Sequence, residues 1–532
     1  MTALAGPSAG VRRPLGPAAA ALGPLVAVAV AATVMWLLDP PVADLQAALA
    51  REQAADAGAG LTYWFNWYGG ISPGSYSSVV PFLSQLVGSR TLALVAPLAV
   101  VALALPLSRG TAHPALFRWA VAAAAMSNLL AGRVAFAVGA AVGLAAVLAL
   151  RERRAVLGAA LLVVAGLASP LVPAFAGLLT LPLLADGGRR SRPVVASLAG
   201  AGLGVLVPFA LFGAPGAYQF PWTTLALTAG LALVVWPALW RTGQHWLVPL
   251  TVAAALVLFV VPTGVGANMG RFTYLVLPCA VLAWSRWRPR PLLLLLVPVL
   301  CWSVFAAGRD EVAALDDGYG AEDYEPLRAE LLGRPDLTGY RVEVVDNWSR
   351  AGSHSLGPDI ALARGWEDQT DNFHNAVLFE PGALDAAGYR GWLDDNAVAY
   401  VAVAADPLAR AEQEAELVES GLPYLTRVWH DENWSLYRVQ NARPIVPAPL
   451  VLLSASPAEL VVEVPDVAAH PVQVRPNRYL VARSVADPDV TACLLPTEDG
   501  WITLQAPVPG TYVLAGDLSL TGVVGRDSDS CG

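Results

Sequence analysis

Residues 39–90 read DPPVADLQAALAREQAADAGAGLTYWFNWYGGISPGSYSSVVPFLSQLVGSR. They are the first polar stretch of the chain, and they follow its first long apolar one. A polar loop of about fifty residues between apolar segments is long, and loops of that length tend to carry function. Val42, Leu45 and Leu49 recur at helical spacing, which predicts a helix over 42–57. A helix of this kind suits a membrane surface with its charges turned outward. The run Tyr63-Trp64-Phe65-Asn66-Trp67-Tyr68 follows. Tyr and Trp favour the headgroup level of a bilayer, and Gly69-Gly70 and Pro73-Gly74 then turn the chain back.

Working outward, 56% of the 532 residues are hydrophobic and 14% are charged. A soluble domain carries roughly 25% charged residues, so much of this chain is expected to face lipid. Spans are expected near 17–38, 91–107, 114–131, 134–150, 155–169, 171–185, 194–213, 222–240, 246–262, 272–285 and 291–307, about eleven helices on the usual length criterion. The first is too long for a secretory signal core. The loops sort by charge. Arg12 and Arg13, Arg109, Arg151 to Arg154, Arg189 to Arg192, Arg241 and Arg286 to Arg290 fall on one side. The positive-inside rule makes that side cytoplasmic. The expected product is a multi-pass plasma-membrane protein with a cytoplasmic tail at 1–16, a transmembrane domain at 17–307, and everything after it extracytoplasmic.

From 308 the composition changes. A helix over 324–332, a strand at 341–345, a helix at 385–394, a strand at 398–403, an acidic helix at 409–419 and a strand at 434–439 predict an α/β domain over 308–440. Short strands at 460–464, 472–474, 501–505 and 511–515 predict a β-sandwich-like domain over 441–532. Cys279 and Cys301 lie in apolar spans. Cys493 and Cys531 are placed to pair if their domain is outside the cell. The net charge is −9, without the clustered basic face that nucleic acid requires. Metal-ligand spacings, Walker loops and dinucleotide fingerprints are absent, so no metal or cofactor is expected.

Three groups of residues could carry chemistry. Asp44, with Asp39, is a carboxylate just beyond the first span, where it suits a general base; the alternative is that Asp39 caps the span and Asp44 starts the helix. Arg133 and Arg271 stand at outer span ends, against the charge rule. Gly132, Asn268 and Gly270 adjoin them. Such arginines suit bidentate capture of a phosphate, or snorkel to headgroups. The third group, His354, Arg364, Trp366, Glu367, Asp368, Asp371, Asn372, His374 and Asn375, reads either as a sugar- or phosphate-binding pocket or as a solvated loop. Trp64, Trp67 and Tyr68 suit stacking on a sugar or anchoring at the interface.

Asp44-Leu45-Gln46, Tyr68-Gly69-Gly70 and Pro73-Gly74-Ser75-Tyr76-Ser77 together resemble the first loop of multi-span glycosyltransferases of the C-type (GT-C) fold, among them actinobacterial mannosyl- and arabinosyltransferases. Leu362 to Glu367 also resembles a segment of other actinobacterial multi-span membrane proteins. The first resemblance implies a polyprenyl-phosphate sugar as donor, a cell-envelope glycan or lipid as acceptor, and a first-loop acid as base. That acid would be Asp44. The family's second acid has no counterpart here. Two other classes stay open: a lipid-linked glycan transporter, which calls for mid-span ionisable residues that are almost absent here, and a non-catalytic envelope scaffold.

Overall fold

The computed structural model describes residues 17–184, 191–213, 215–316, 318–380 and 382–518. The basic tail with Arg12 and Arg13, the loop residues Arg189 and Arg190, and Cys531 lie outside them. Helix α1 (Pro17–Leu38) meets α2 (Ala43–Asp56) at a bend of 71°. Then come α3 (Val80–Val87), α4 (Ser89–Ser108), α5 (Pro114–Leu130), α6 (Val134–Arg151), α7 (Ala155–Ala168), α8 (Leu171–Thr180), α9 (Arg192–Phe212), α10 (Trp222–Leu239), α11 (Leu247–Val260), α12 (Leu277–Trp284) and α13 (Pro289–Asp316). Each expected span falls on a helix, but only five of the described helices are long and apolar enough to cross a bilayer alone, six if the bent pair is one span. The count of eleven is therefore not established. Several of the others are short, and α7, α8 and α11 belong to this class. Outward faces carry exposed Val156, Leu206, Val260 and Leu294, as lipid-facing helices do. Inside, Gly166 faces the backbone of Gly204, and Gly200 faces Ala159. Small residues let α7 and α9 approach closely, the usual packing device in lipid. The protein is a multi-pass membrane protein with a β-rich C-terminal region.

Helix α13 runs nine residues past the expected span end before α14 (Ala321–Leu332) begins. A four-stranded sheet follows, built from β1 (Arg341–Val345), β2 (Val398–Ala404), β3 (Leu425–His430) and β4 (Trp434–Val439). Its order is β1-β2-β4-β3. Strands β1 and β2 are parallel; the other pairs are antiparallel. Strand β2 is buried along its whole length. Val398, Val401 and Val403 pack on α15 (Ala386–Asp395) and α16 (Glu412–Glu419). Ala399, Tyr400 and Ala402 face α14 and, unexpectedly, α2 and the first-loop aromatics. Beyond it, β5 (Val451–Ala455), β6 (Glu459–Val464), β7 (Ala469–Val472), β8 (Leu480–Ser484), β9 (Thr491–Pro496), β10 (Ile502–Gln505) and β11 (Gly510–Gly516) form an antiparallel sheet in the order β5-β6-β11-β8-β9-β10-β7. Val462 and Leu514 share one core with Val472 and Leu504, so the two halves of the sheet face each other. Cys493 in β9 is disulfide-bonded.

The first loop differs most from expectation. Helix α2 is not a surface helix with its charges in water. It is buried on two sides. Leu45, Ala48 and Leu49 pack on Val80, Ala93, Val134 and Ala135 of the bundle rim, while Ala50 and Ala54 pack into the core beneath the four-stranded sheet. Its Arg51 is 2% exposed and forms an ion pair with Glu367. The Arg51 guanidinium lies 4.4 Å from the Tyr76 ring centre and 5.1 Å from that of Trp67. The aromatic run also leaves the headgroup level. Tyr63 and Phe65 enter the β-rich core, and Trp64, Trp67 and Tyr68 enter the α/β core. The run is mostly turn, with one bridge from Trp64 to Ile71 and a positive φ at Tyr68, so its side chains fan out to both cores and this one segment wedges between two domains. Its edges are bonded to both: Phe65 N to Pro457 O at 3.0 Å, and Leu362 N to Asn66 O at 2.7 Å.

Removing one partner of a buried ion pair strands the other charge and costs about 3–5 kcal/mol, whereas replacing both with packed apolar groups is often neutral. Arg51→Ala is expected to lower stability by that amount in denaturant titrations of the detergent-solubilised protein. Arg51→Met combined with Glu367→Leu is expected to recover most of the loss.

Candidate functional site

Two of the expected site arginines and one acid converge. Gly132 makes this possible. Its φ is +67°, and a Cβ there would lie 2.7 Å from the backbone N of Leu45. The α5–α6 turn therefore presses directly on α2 beside Asp44. Arg133 caps the start of α6, and its Nε donates to Asp44 Oδ2 at 2.9 Å. Arg271 comes from a second tight turn, Gly266–Met269, and its Nη2 lies 4.0 Å from the same oxygen. The three side chains are between 15% and 27% exposed, so the group is reachable but partly desolvated. Asn268 sits within that second turn. Immediately after Arg271 the helix widens into a π-helical turn over Phe272–Val276, a feature frequent at functional sites.

Two tyrosines complete the wall. Tyr76 lies under the Arg51 guanidinium. Burial raises its hydroxyl above the ordinary range and Asp44 raises it further, against the pull of Arg51, Arg271 and Arg133. Tyr218 is held by its backbone: Tyr218 N donates to Thr263 O at 2.9 Å, and a Cβ on Gly266 would collide with Tyr218 O at 2.0 Å. Burial and Asp368 raise the Tyr218 hydroxyl, while Arg271 lowers it. Tyr218 was not singled out in the sequence, although a tyrosine between Gly216 and Pro221 in a short loop on this face was the available signal.

Below this polar rim lies an apolar cavity of about 420 Å³ between α4, α5, α6, α8 and α12. Asn128 lines its upper end and donates through Nδ2 to Arg133 O at 3.1 Å. Phe136 and Ala137 follow Arg133 by about one turn and line it too, as do Leu275 and Val276 after Arg271. Gly110, Thr111 and Arg151 lie at its far end. The lining thus begins about one helical turn from both arginines and runs along the bundle.

The other expected residues go elsewhere. Asp39 is paired with Arg90 at 2.7 Å. Trp67 and Tyr68 are each 1% exposed, so neither can stack on a sugar. Glu367, 4% exposed, is an internal partner of Arg51 and accepts from Thr370 Oγ1 at 2.7 Å. It does not line a pocket. Arg364 donates to Glu343 through Nε at 2.7 Å and to Glu414 through Nη2 at 3.0 Å. Trp366 donates from Nε1 to Ala43 O at 2.6 Å, fastening the loop of the α/β region to the start of α2. His354 lies in the short helix Gly352–Ser355 and feels Arg90.

Burial, with a smaller contribution from Arg90, depresses the His354 imidazole to about 4 from its ordinary 6.5. In the unfolded chain it takes up a proton as pH falls through 6.5, and in the folded chain only near 4. Its contribution to stability is therefore present above pH 6.5 and is lost between 6.5 and 4. His354→Gln is expected to shrink the fall in Tm between pH 7 and pH 5 relative to the parent protein, read by differential scanning fluorimetry at matched ionic strength.

No family model matches the chain, and no curated protein matches it. Among solved structures it is similar to arabinofuranosyltransferase AftD from Mycobacteria, with 15% identity, 84% of this chain covered against 41% of that one, and a TM-score of 0.39. The R1389S mutant of the same protein gives 16% identity, 84% and 43% coverage, and a TM-score of 0.37. This chain therefore spans less than half the length of the structures it matches.

Proposed function

We propose that this protein is an integral-membrane glycosyltransferase that moves a sugar from a polyprenyl phosphate to a hydroxyl of a cell-envelope glycan or lipid. The observation that carries the reading is the cluster of Asp44, Arg133 and Arg271 about one helical turn from residues that line the apolar cavity. A carboxylate, two guanidiniums and a long apolar slot are what a charged headgroup with an isoprenoid tail would need. In this reading the tail lies along Phe136, Val172 and Leu275, and the phosphate meets Arg133 and Arg271. Loop 39–90 and the sheets face the outside of the plasma membrane, and the arginine-bearing loops with the N-terminus face the cytosol.

Chemically, the Asp44 carboxylate accepts the proton of the acceptor hydroxyl. The hydroxyl oxygen attacks the anomeric carbon, and the bond from that carbon to the phosphate oxygen breaks. The phosphate leaves with the bonding pair, and the two arginines stabilise its growing charge. Because the donor is already activated by its phosphate, no nucleotide is required. Tyr76 and Tyr218, with hydroxyls held protonated, serve as donors to the headgroup.

The reading is tested in two steps. The purified chain in nanodiscs is expected to bind a short-chain polyprenyl phosphate, seen as a rise in Tm. Arg133→Gln and Arg271→Gln are each expected to weaken that binding, and Phe136→Trp to block the slot. With a radiolabelled polyprenyl-phosphate sugar, Asp44→Asn is expected to slow transfer by about 10²–10⁴-fold, the usual worth of a general base, while leaving lipid binding in place. Full transfer by Asp44→Asn would remove the proposed base.

A further inference from the structure

The α/β region holds a second polar recess that the Asp44 cleft does not use. Strands β1 and β2 run parallel, so their carboxyl ends open on the same side, the place where ligands settle in open α/β sheets. At that edge a recess of about 60 Å³ is lined by Asp346, Arg350, Arg364, Asp371, Phe379 and Arg410 among others. A site for one water needs roughly 10–15 Å³ on this measure, so the recess has room for a group of a few heavy atoms.

The arginines are built in. Arg350 Nη1 donates to Asp368 Oδ1 at 2.8 Å, and Arg410 Nη1 donates to the same oxygen. Each spends one nitrogen there. A guanidinium carries five N–H donors, and among the described residues no other protein acceptor takes the rest from these two. Aromatic rings fix the planes: the Arg350 guanidinium lies 4.0 Å from the Trp366 ring centre, and that of Arg410 lies 4.1 Å from Phe379. Arg364 is also over Phe379, at 5.5 Å, and Glu343 and Glu414 hold it from behind. Arg350, Arg364 and Arg410 therefore line the recess with Asp346 and Asp371, and Asp368, Glu343 and Glu414 pair the three arginines from its wall. Burial pushes the carboxyl of Asp346 up to about 6 and raises that of Asp371. Tyr324 Oη, Asn347 N and Gly352 N already donate to Asp346.

We infer that this recess binds a small oxyanion, a carboxylate or a phosphate, through the fork geometry of Arg350 and Arg410. Planar guanidiniums with spare donors and an aromatic backing match that chemistry, and lysines would not. The inference stands apart from the glycosyl-transfer reading. It needs neither Asp44 nor the apolar cavity.

Calorimetric titration of the full chain in zwitterionic nanodiscs tests it, with inorganic phosphate, glucuronate and glucose as probes. Both anions are expected to bind, and glucose is not. Tighter glucuronate places the oxyanion on an acidic saccharide; tighter phosphate places it on a phosphate group. Arg410→Gln is expected to weaken anion binding at least tenfold, and Arg410→Lys to weaken it less. Arg483→Gln, on the β-rich region and 45% exposed, is expected to leave it unchanged. Binding of glucose equal to that of the anions, full binding by Arg410→Gln, or loss of binding in Arg483→Gln would each overturn the assignment. Arg410 is 30% exposed, so its substitution leaves the interior packing intact. A ligand-free Tm equal to that of the parent protein verifies that.

Discussion

The ion pair between Arg51 and Glu367 fixes the orientation of α2, and the candidate site depends on that orientation. Both side chains are 2% exposed. Withdrawing two charges from water is costly, and such a pair gives little net stability compared with an apolar one. What it does supply here is register. Arg51 lies seven residues after Asp44, two turns along the same face of the helix. Turning α2 about its axis to free Arg51 would swing Asp44 away from Arg133 and Arg271. Tyr76 and Trp67 pack on the Arg51 guanidinium, and Trp366 holds the first turn by Ala43 O, so rotation is resisted at both ends of the helix.

Around that helix, three structural layers each contribute something different. The bundle supplies the two arginines from tight turns and the apolar cavity beneath them. The first loop supplies the carboxylate and Tyr76. The α/β region supplies mostly support: Glu367 and Trp366 hold α2, and Asp368 sits near enough to Tyr218 to raise its hydroxyl. Gly132 and Gly266 are small in number but decide the geometry, because each allows a backbone approach that any side chain would block.

How much of this was legible from the residues depended on the range of the interaction. Arg133 and Arg271 were readable because no other short loop expected on that face carries an arginine. The positions of the apolar helices, and strands β1, β2 and β4, were readable from local pattern alone. The short strands β5, β8 and β9 and the half-exposed edge strand β3 were not, since their pairing decides them. Helix α2 was misjudged for a physical reason. Arg51, Glu52 and Asp56 look solvated in a local window, and the partner of Arg51 is 316 residues away. The same holds for Trp67 and Tyr68, whose burial comes from sheets far downstream. Glu367 reads as a site residue until Arg51 is seen beside it.

The wedge formed by residues 63–68 has a consequence for how the chain is made. Tyr68 bonds to Glu367, 299 residues later, and Tyr63 to Arg475, 412 residues later. At ordinary translation rates of about 5–20 residues per second, the aromatic run waits on the order of tens of seconds before its partners exist. Neither sheet can close its core until its last strand, ending at Val439 in one and Gly516 in the other, has been made. The aromatic run is therefore without its partners while the later strands are made, and a truncated chain ending before residue 475 would leave that hydrophobic run without its cover.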